Sequence, residues 1–234
     1  MAGDDNSAAV PATSAPRGGS DHTAQQETSL DDSVIDALIF DCDGTLVNSM
    51  EYFWIGWAQL VEKYKLNFPK SKFYALAGTP VRQIVEQVLD ASEGYSSTDQ
   101  AFVDKFLDEK FQIVEAMRAK GEYPGEITCV TRFAKEAKKQ GQKKLAVASS
   151  GDKAHVLADL ERNGLTELFE TIVTREDVVN GKPAPDLFLE AAKRLNVAPE
   201  KCRGYEDADL GLESLKRARY AQSVDVRLLP GYPN

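Results

Sequence analysis

The stretch VIDALIFDCDGT, residues 34–45, decides how the chain folds. Its mostly apolar first part ends abruptly in DCDGT, which reads as a buried strand running into a loop. In extended backbone, residues two apart project to the same side. Asp41 and Asp43 are therefore both expected to face the crevice at the carboxyl end of that strand. Gly44 then permits a sharp turn, and Thr45 offers a hydroxyl and an amide. Two carboxylates this close repel when both are ionised, so the pair calls for a divalent cation or a shared proton. A calcium loop of the EF-hand type needs Gly sixth and Glu twelfth. Counted from Asp41, the Gly is fourth and the twelfth residue is Tyr52, which excludes that reading.

Further along lie four more short and mostly apolar runs: KKLAVAS (143–149), TIVT (171–174), CRGYE (202–206) and VDVRLL (224–229). Helical patterns occupy 126–140, 153–163, 185–196 and 209–219. Gly141 and Gly164 supply left-handed terminators for the first two, and Asp152 is placed to cap the second. Strands alternating with amphipathic helices predict an α/β fold, a doubly wound parallel sheet covered on both faces. Residues 51–121 break the alternation and show only helical periodicity, clearest in DQAFVDKFLDEKFQIVEAMRAKG. An insertion of ~70 residues is too long for a connecting loop and is read as an all-helical cap domain. Trp54 and Trp57, at helical spacing within it, are read as core residues. The expected organisation is a tail over 1–32, a Rossmann-like core over 33–50 and 122–234, and a helical cap over 51–121.

Composition narrows the chemistry. Of 234 residues, 28 are Lys or Arg and 37 are Asp or Glu, a formal charge of −9. That balance argues against a general nucleic-acid or anionic-membrane binder, both of which need a basic footprint. No run approaches the ~18 apolar residues of a membrane span. Residues 1–32 are rich in Ala, Ser, Gly, Thr and Asp with hardly a large apolar side chain, and are expected to form a disordered tail without the features of a targeting signal. Cys42, Cys129 and Cys202 are far apart and form no C-x-x-C pair, which points to a reducing, cytoplasmic setting without disulfides or structural zinc. Of the two histidines, His22 lies in the tail and His155 early in a helix, where it is read as structural. Ser-His-Asp hydrolases and His-rich metal sites are therefore disfavoured, and the chemistry falls to carboxylates.

The ends of the later strands carry the rest. Ser149 and Ser150 close KKLAVAS ahead of a helix, where hydroxyls and amides hold phosphate oxygens. Lys182 precedes Pro183, which biases it to extended backbone, and Glu206 and Asp207 close CRGYED. An acid cluster for a cation, a strand-end hydroxyl and an ammonium are together what phosphoryl transfer needs. In DCDGT (41–45), AVASS (146–150), GKPAP (181–185) and EDADLG (206–211) the chain resembles phosphatases of the haloacid dehalogenase (HAD) superfamily with a helical cap inserted after the first motif. The motifs follow the family's order over 34–229, and the likeness is greatest to the β-phosphoglucomutase and phosphoglycolate phosphatase branch. The ending EDADLGLESLKRARYAQSVDVRLL is similar to bacterial phosphatases of fructose-1-phosphate and 6-phosphogluconate.

The resemblance implies roles. Asp41 would be the nucleophile, forming an aspartyl-phosphate, and Asp43 the acid and then the base. Mg²⁺ would be held by the Asp41 carboxylate, the Asp43 backbone carbonyl and Asp207, with Glu206 beside it as a ligand or through water. Ser149 and Lys182 would bind the phosphoryl group, with Gly44, Thr45 and Ser150 at the same rim. Gly78-Thr79-Pro80-Val81-Arg82 resembles a substrate-touching cap loop, where Arg82 meets a sugar hydroxyl or second anion or is a solvated helix arginine. The implied partner is a small phosphorylated metabolite, a sugar phosphate first of all, with no nucleic acid or membrane, for a monomer or weak homodimer. The alternatives are a phosphomutase and a catalytically silent binding protein. Phe53 stands where β-phosphoglucomutase has a histidine, which argues against the mutase and reads as hinge packing.

Other positions depart from the family. Asn48 replaces an acid, and Cys202-Arg203-Gly204-Tyr205 replaces an aliphatic strand. Gly204 is expected to give up packing, and Arg203 to need the sheet's rim. Ala218-Arg219-Tyr220 puts Arg219 where a left-handed residue is expected, at a cost of order ~1 kcal/mol relative to Gly.

Overall fold

The computed structural model describes residues 32–233, so the expected tail lies outside it except for Asp32. Five strands, β1 (Ala37–Phe40), β2 (Lys144–Ala148), β3 (Thr171–Val173), β4 (Cys202–Glu206) and β5 (Gln222–Asp225), form one sheet in the order β3-β2-β1-β4-β5. Every pairing is parallel, with Phe40 opposite both Val147 and Tyr205. The carboxyl ends of β2, β1 and β4 are therefore level. β1 sits where the chain order reverses, the place at which open α/β sheets leave a crevice.

Among the described residues, eight α-helices cover the sheet and fill the insertion. Between β1 and β2 lie α1 (Ser49–Tyr64), α2 (Lys70–Ala75), α3 (Val81–Asp90), α4 (Gln100–Ala119) and α5 (Thr128–Gln140). After β2 come α6 (Lys153–Arg162), α7 (Asp186–Leu195) and α8 (Asp209–Arg217). One face of the sheet packs Ile39, Ala146 and Val173 against Leu187, Phe188, Ala191 and Leu215 of α7 and α8. On the other face Tyr205 stacks on Phe40 at 4.4 Å and meets Phe133 of α5 at 5.3 Å. Helices α1–α4 close on a core of their own, in which Trp57 is buried against Phe68 and Phe106 and Trp54 leans on Phe73. Among the described residues no helix is long and apolar enough to cross a membrane.

Several local expectations change. Gly141 and Gly164 do end their helices at φ 66° and 65°. Asp152 takes the cap position of α6 without using its side chain, which turns 2.8 Å from Arg175, and the Lys153 amide donates to Glu176 at 3.2 Å instead. The last strand starts at Gln222 and stops at Asp225, and a short 3-10 turn over Val226–Leu228 replaces its expected second half. Arg219 does adopt the left-handed conformation, at φ 61°.

The unusual strand β4 is resolved by its neighbours. It lies inside the sheet, so Arg203 is not at a rim and is only 4% exposed. Its guanidinium is held by Asp32 at 2.7 Å and by Gln222 at 2.6 Å, which satisfies the charge in place. Gly204 gives up no packing either. A Cβ there would stand 2.0 Å from Leu215 Cδ2, so the leucine of α8 fills the space that the strand leaves. Gly204→Ala should therefore cost stability by about 1–3 kcal/mol through overpacking. Urea unfolding of the two proteins measures it, and an unchanged midpoint would mean that Leu215 moves aside freely.

Candidate active site

The site begins where β1 stops. The Asp41 amide donates to Tyr205 O at 3.0 Å, the last rung of the ladder, and its carboxylate emerges at the carboxyl edge of the sheet. The loop then winds tightly, with the amides of Thr45, Leu46 and Val47 all donating to Cys42 O at 3.2, 2.9 and 3.0 Å. Gly44 has φ 79°, and a Cβ on it would meet Asp207 Oδ2 at 2.2 Å, so only glycine admits the acid. Thr45 Oγ1 donates to Asp207 Oδ1 at 3.0 Å, and Tyr232 Oη donates to Gly44 O at 2.7 Å.

Glu206, at the end of β4, accepts from the Ala208 amide at 2.8 Å. Gly211 of α8 makes room for it, since a Cβ there would fall 1.8 Å from Glu206 Oε1. Lys182 reaches in from the loop before α7 and donates to both Asp41 Oδ1 and Glu206 Oε1 at 2.5 Å. Burial alone would discharge this ammonium, but Asp41 and Glu206 hold its pKa well above the usual lysine range. Burial pushes the Asp41 carboxyl up to about 7 against the pull of Lys182, with Glu206 adding to the rise. Burial, then Glu206 and Asp41, likewise raise Asp207.

Asp41, Glu206 and Asp207 each bring an oxygen within 4.8 Å of the others. Three buried carboxylates around one ammonium carry excess negative charge in a poorly polarisable setting. The donor set is all oxygen, which fits a hard divalent cation.

Asp43 lies on the other side of the loop. His155 Nε2, on α6, is 3.4 Å from Asp43 Oδ1 and 3.3 Å from Asp159 Oδ2. Against the effect of burial, His155 keeps Asp43 below the usual carboxylate range. Arg118 Nη2, from the end of α4, is 2.8 Å from His155 Nδ1. Ser149 is buried and its Oγ accepts from the Gly151 amide at 3.0 Å. A Cβ on Gly151 would lie 3.2 Å from both Asp43 Oδ2 and Ser149 Oγ, so these two groups flank one small space. The buried Ser150 hydroxyl has no hydrogen-bond partner among the described residues.

Nine of the ten sequence-derived site residues thus lie at the strand ends and in the loops that continue them; Arg82 does not join them. On α3 it pairs with Asp104 and donates to Gln100 at 3.2 Å, and no contact ties it to the acid cluster among the described residues. Phe53 is half-buried with its ring 5.5 Å from that of His155, in keeping with hinge packing. The sequence reading passed over Arg118, Asp159, Tyr232 and Lys110 and took His155 as structural. Lys110 had a signal: it shares the buried face of α4 with Phe106, Val114 and Met117, where a charge is out of place. It is 8% exposed, its ammonium lies 5.1 Å from the Phe53 ring, and burial followed by Arg118 pushes its pKa down to about 8.

A doubly wound sheet with an acid cluster at its switch point and helices inserted after the first strand defines a hydrolase of the HAD type. The chain belongs to the haloacid dehalogenase-like hydrolase family, whose sequence model matches residues 38–222. It is 31% identical over 194 residues to fructose-1-phosphate phosphatase YqaB of Escherichia coli, covering 82% of this chain and 96% of that one. It is 30% identical to a phosphorylated carbohydrates phosphatase of Thermotoga maritima, over 79% and 82% of the two chains. Among solved structures, CbbY from Rhodobacter sphaeroides in complex with phosphate superposes with a TM-score of 0.64 at 23% identity, over 80% of this chain and 84% of that one, a likeness of fold.

The raised carboxyls make a cation testable without any substrate. Because the Asp41 carboxyl is raised to about 7, its contribution to stability is full below about pH 4 and is lost as pH rises through about 7, and the raised Asp207 acts in the same sense. Asp43, with a lowered pKa, acts in the opposite sense and is common to samples with and without cation. A divalent cation bound by the cluster would take the place of the lost protons. Thermal unfolding should show a stabilisation by the cation that is large at about pH 8 and small at about pH 5, and that Asp207→Asn reduces. Equal stabilisation at both pH values would remove the cluster as the cation site.

Proposed function

We propose that the chain is a Mg²⁺-dependent phosphatase of small phosphorylated metabolites, sugar phosphates first of all, that works through an aspartyl-phosphate. The observation that carries this is Lys182 bridging Asp41 and Glu206 beside Asp207, a buried arrangement two positive charges short of balance when all three acids are ionised. The relatives named as phosphatases of fructose-1-phosphate and of phosphorylated carbohydrates support the substrate class. Asp41, Asp207 and the Asp43 backbone carbonyl would hold Mg²⁺, with Glu206 alongside. When bound, the ion neutralises the acids and polarises the phosphoryl oxygens.

The chain's own groups then divide the work. Asp41 Oδ attacks phosphorus, a new O–P bond forms, and the bond to the sugar oxygen breaks. Asp43, held low in the free site, takes up a proton as the anionic substrate arrives beside it and gives that proton to the leaving oxygen. The resulting Asp43 carboxylate takes a proton from water, whose oxygen attacks phosphorus and frees the Asp41 carboxylate and inorganic phosphate. Lys182 and the Ser149 hydroxyl fix the phosphoryl oxygens. Asp41→Asn should abolish the covalent intermediate. Asp43→Asn should retain cation binding and slow turnover ~10²–10⁴-fold. Phosphate-release kinetics together with mass spectrometry of quenched enzyme measure both, and parent-like turnover of Asp43→Asn would sink the acid and base assignment.

The second reading is a phosphomutase, favoured by 27% identity to β-phosphoglucomutase of Bacillus subtilis over 78% of this chain. Phe53, an aromatic hydrocarbon against His155, has no proton to offer for holding a closed, water-free state. Hydrolysis is therefore expected to outrun isomerisation of β-glucose-1-phosphate even with a bisphosphate activator supplied. Both products can be followed in one reaction, and isomerisation outrunning phosphate release would overturn the phosphatase reading.

A further inference from the structure

Around Asp43 stand polar side chains, His155, Asp159 and Arg118, that the proposed reaction leaves unused. Asp43 Oδ1, His155 Nε2 and Asp159 Oδ2 are buried atoms that converge within 4.8 Å, and none makes a well-directed hydrogen bond. Asp159 is only 1% exposed, and its other oxygen is 3.6 Å from Arg162 Nη1. Two carboxylates and an imidazole have the composition of a small cation site. Arg118 decides against that. A guanidinium has donors only, so its 2.8 Å contact requires His155 Nδ1 to be the acceptor. The ring proton is then on Nε2, which has no lone pair left for a metal and a hydrogen to give to the two carboxylates it faces.

We propose that His155, locked in this tautomer by Arg118 of α4, is a positioning residue that aims Asp43 at the leaving oxygen. The proposal rests on the reading of Asp43 as the acid. Asp159 lies on the far side, one helical turn along α6, so the ring is hydrogen-bonded to Arg118 at Nδ1 and has the Asp43 and Asp159 carboxylates 3.4 and 3.3 Å from Nε2. The Phe53 ring, 5.5 Å away, closes one side of it. Arg118 belongs to the inserted helices and His155 to the sheet-bearing part of the chain. The aim of Asp43 is therefore set by where α4 stands, and an enzyme whose helices are displaced presents an acid that is present but misdirected.

The test exploits the leaving group. An alkoxide from a sugar phosphate needs a proton as the bond breaks, whereas p-nitrophenolate leaves without one. In single turnovers with enzyme in excess, His155→Leu should slow alcohol release from a hexose phosphate ~10–100-fold and release of p-nitrophenolate less than ~3-fold, with little change in substrate affinity. His155→Gln carries an amide that can accept from Arg118 and donate to Asp43, and should recover most of the loss. Arg118→Met, which keeps the stem and removes the donors, should show the same leaving-group bias in weaker form. A fold defect would slow both substrates alike, so equal losses overturn the proposal, as does failure of His155→Gln to recover beyond His155→Leu. Asp43→Asn is run alongside. If it lacks the bias, the acid reading itself fails; if it shows the bias and His155→Leu does not, only the positioning role fails.

Discussion

The shared ammonium of Lys182 is the constraint on which the rest of the site depends. It lies between Asp41 and Glu206 with a side chain 2% exposed, so neither carboxylate can relax toward water. Such a pair is not a source of stability in itself, because taking the charges out of water costs about as much as their attraction returns. What it supplies is position. Asp41 at the end of β1 and Glu206 at the end of β4 are brought to one point because those strands are hydrogen-bonded in register, and the lysine reaches them from the loop before α7. Three separate segments must therefore be in place before any of the three groups has its neighbours.

Close approach is the second theme. Asp207 and Glu206 fit only because Gly44 and Gly211 have no Cβ, and Leu215 reaches β4 only because Gly204 has none. In each case a glycine admits the side chain of a distant residue into space it would otherwise occupy. The carboxylates are held by walls as much as by bonds, which keeps them clustered despite their repulsion.

The strand ends were legible in the sequence because an apolar run that stops at Asp, Ser or Glu has one interpretation in a parallel sheet. The doubly wound order followed from alternation, and the inserted helices from a long stretch without strand periodicity. What escaped was whatever depends on two distant segments meeting. β5 begins at the polar Gln222 and Ser223, which pair with Arg203 and Gly204, and no alternation announces that. Arg82 looked available until Asp104, on another helix, took its charge. His155 looked structural because the partners that give it a direction lie on the first motif and on α4, and only Asp159, four residues on, is near it in sequence. Gly204 looked like lost packing because its occupant comes from α8.

The bond from the Tyr232 hydroxyl to Gly44 O joins positions 188 apart in sequence. The loop that carries the first motif is synthesised ahead of four of the five strands, and its outer support is synthesised after all of them. During translation the strand β1 and its acids exist long before the carbonyl of Gly44 has its donor. The last hydrogen bond on the acidic loop can therefore close only after all five strands have been made.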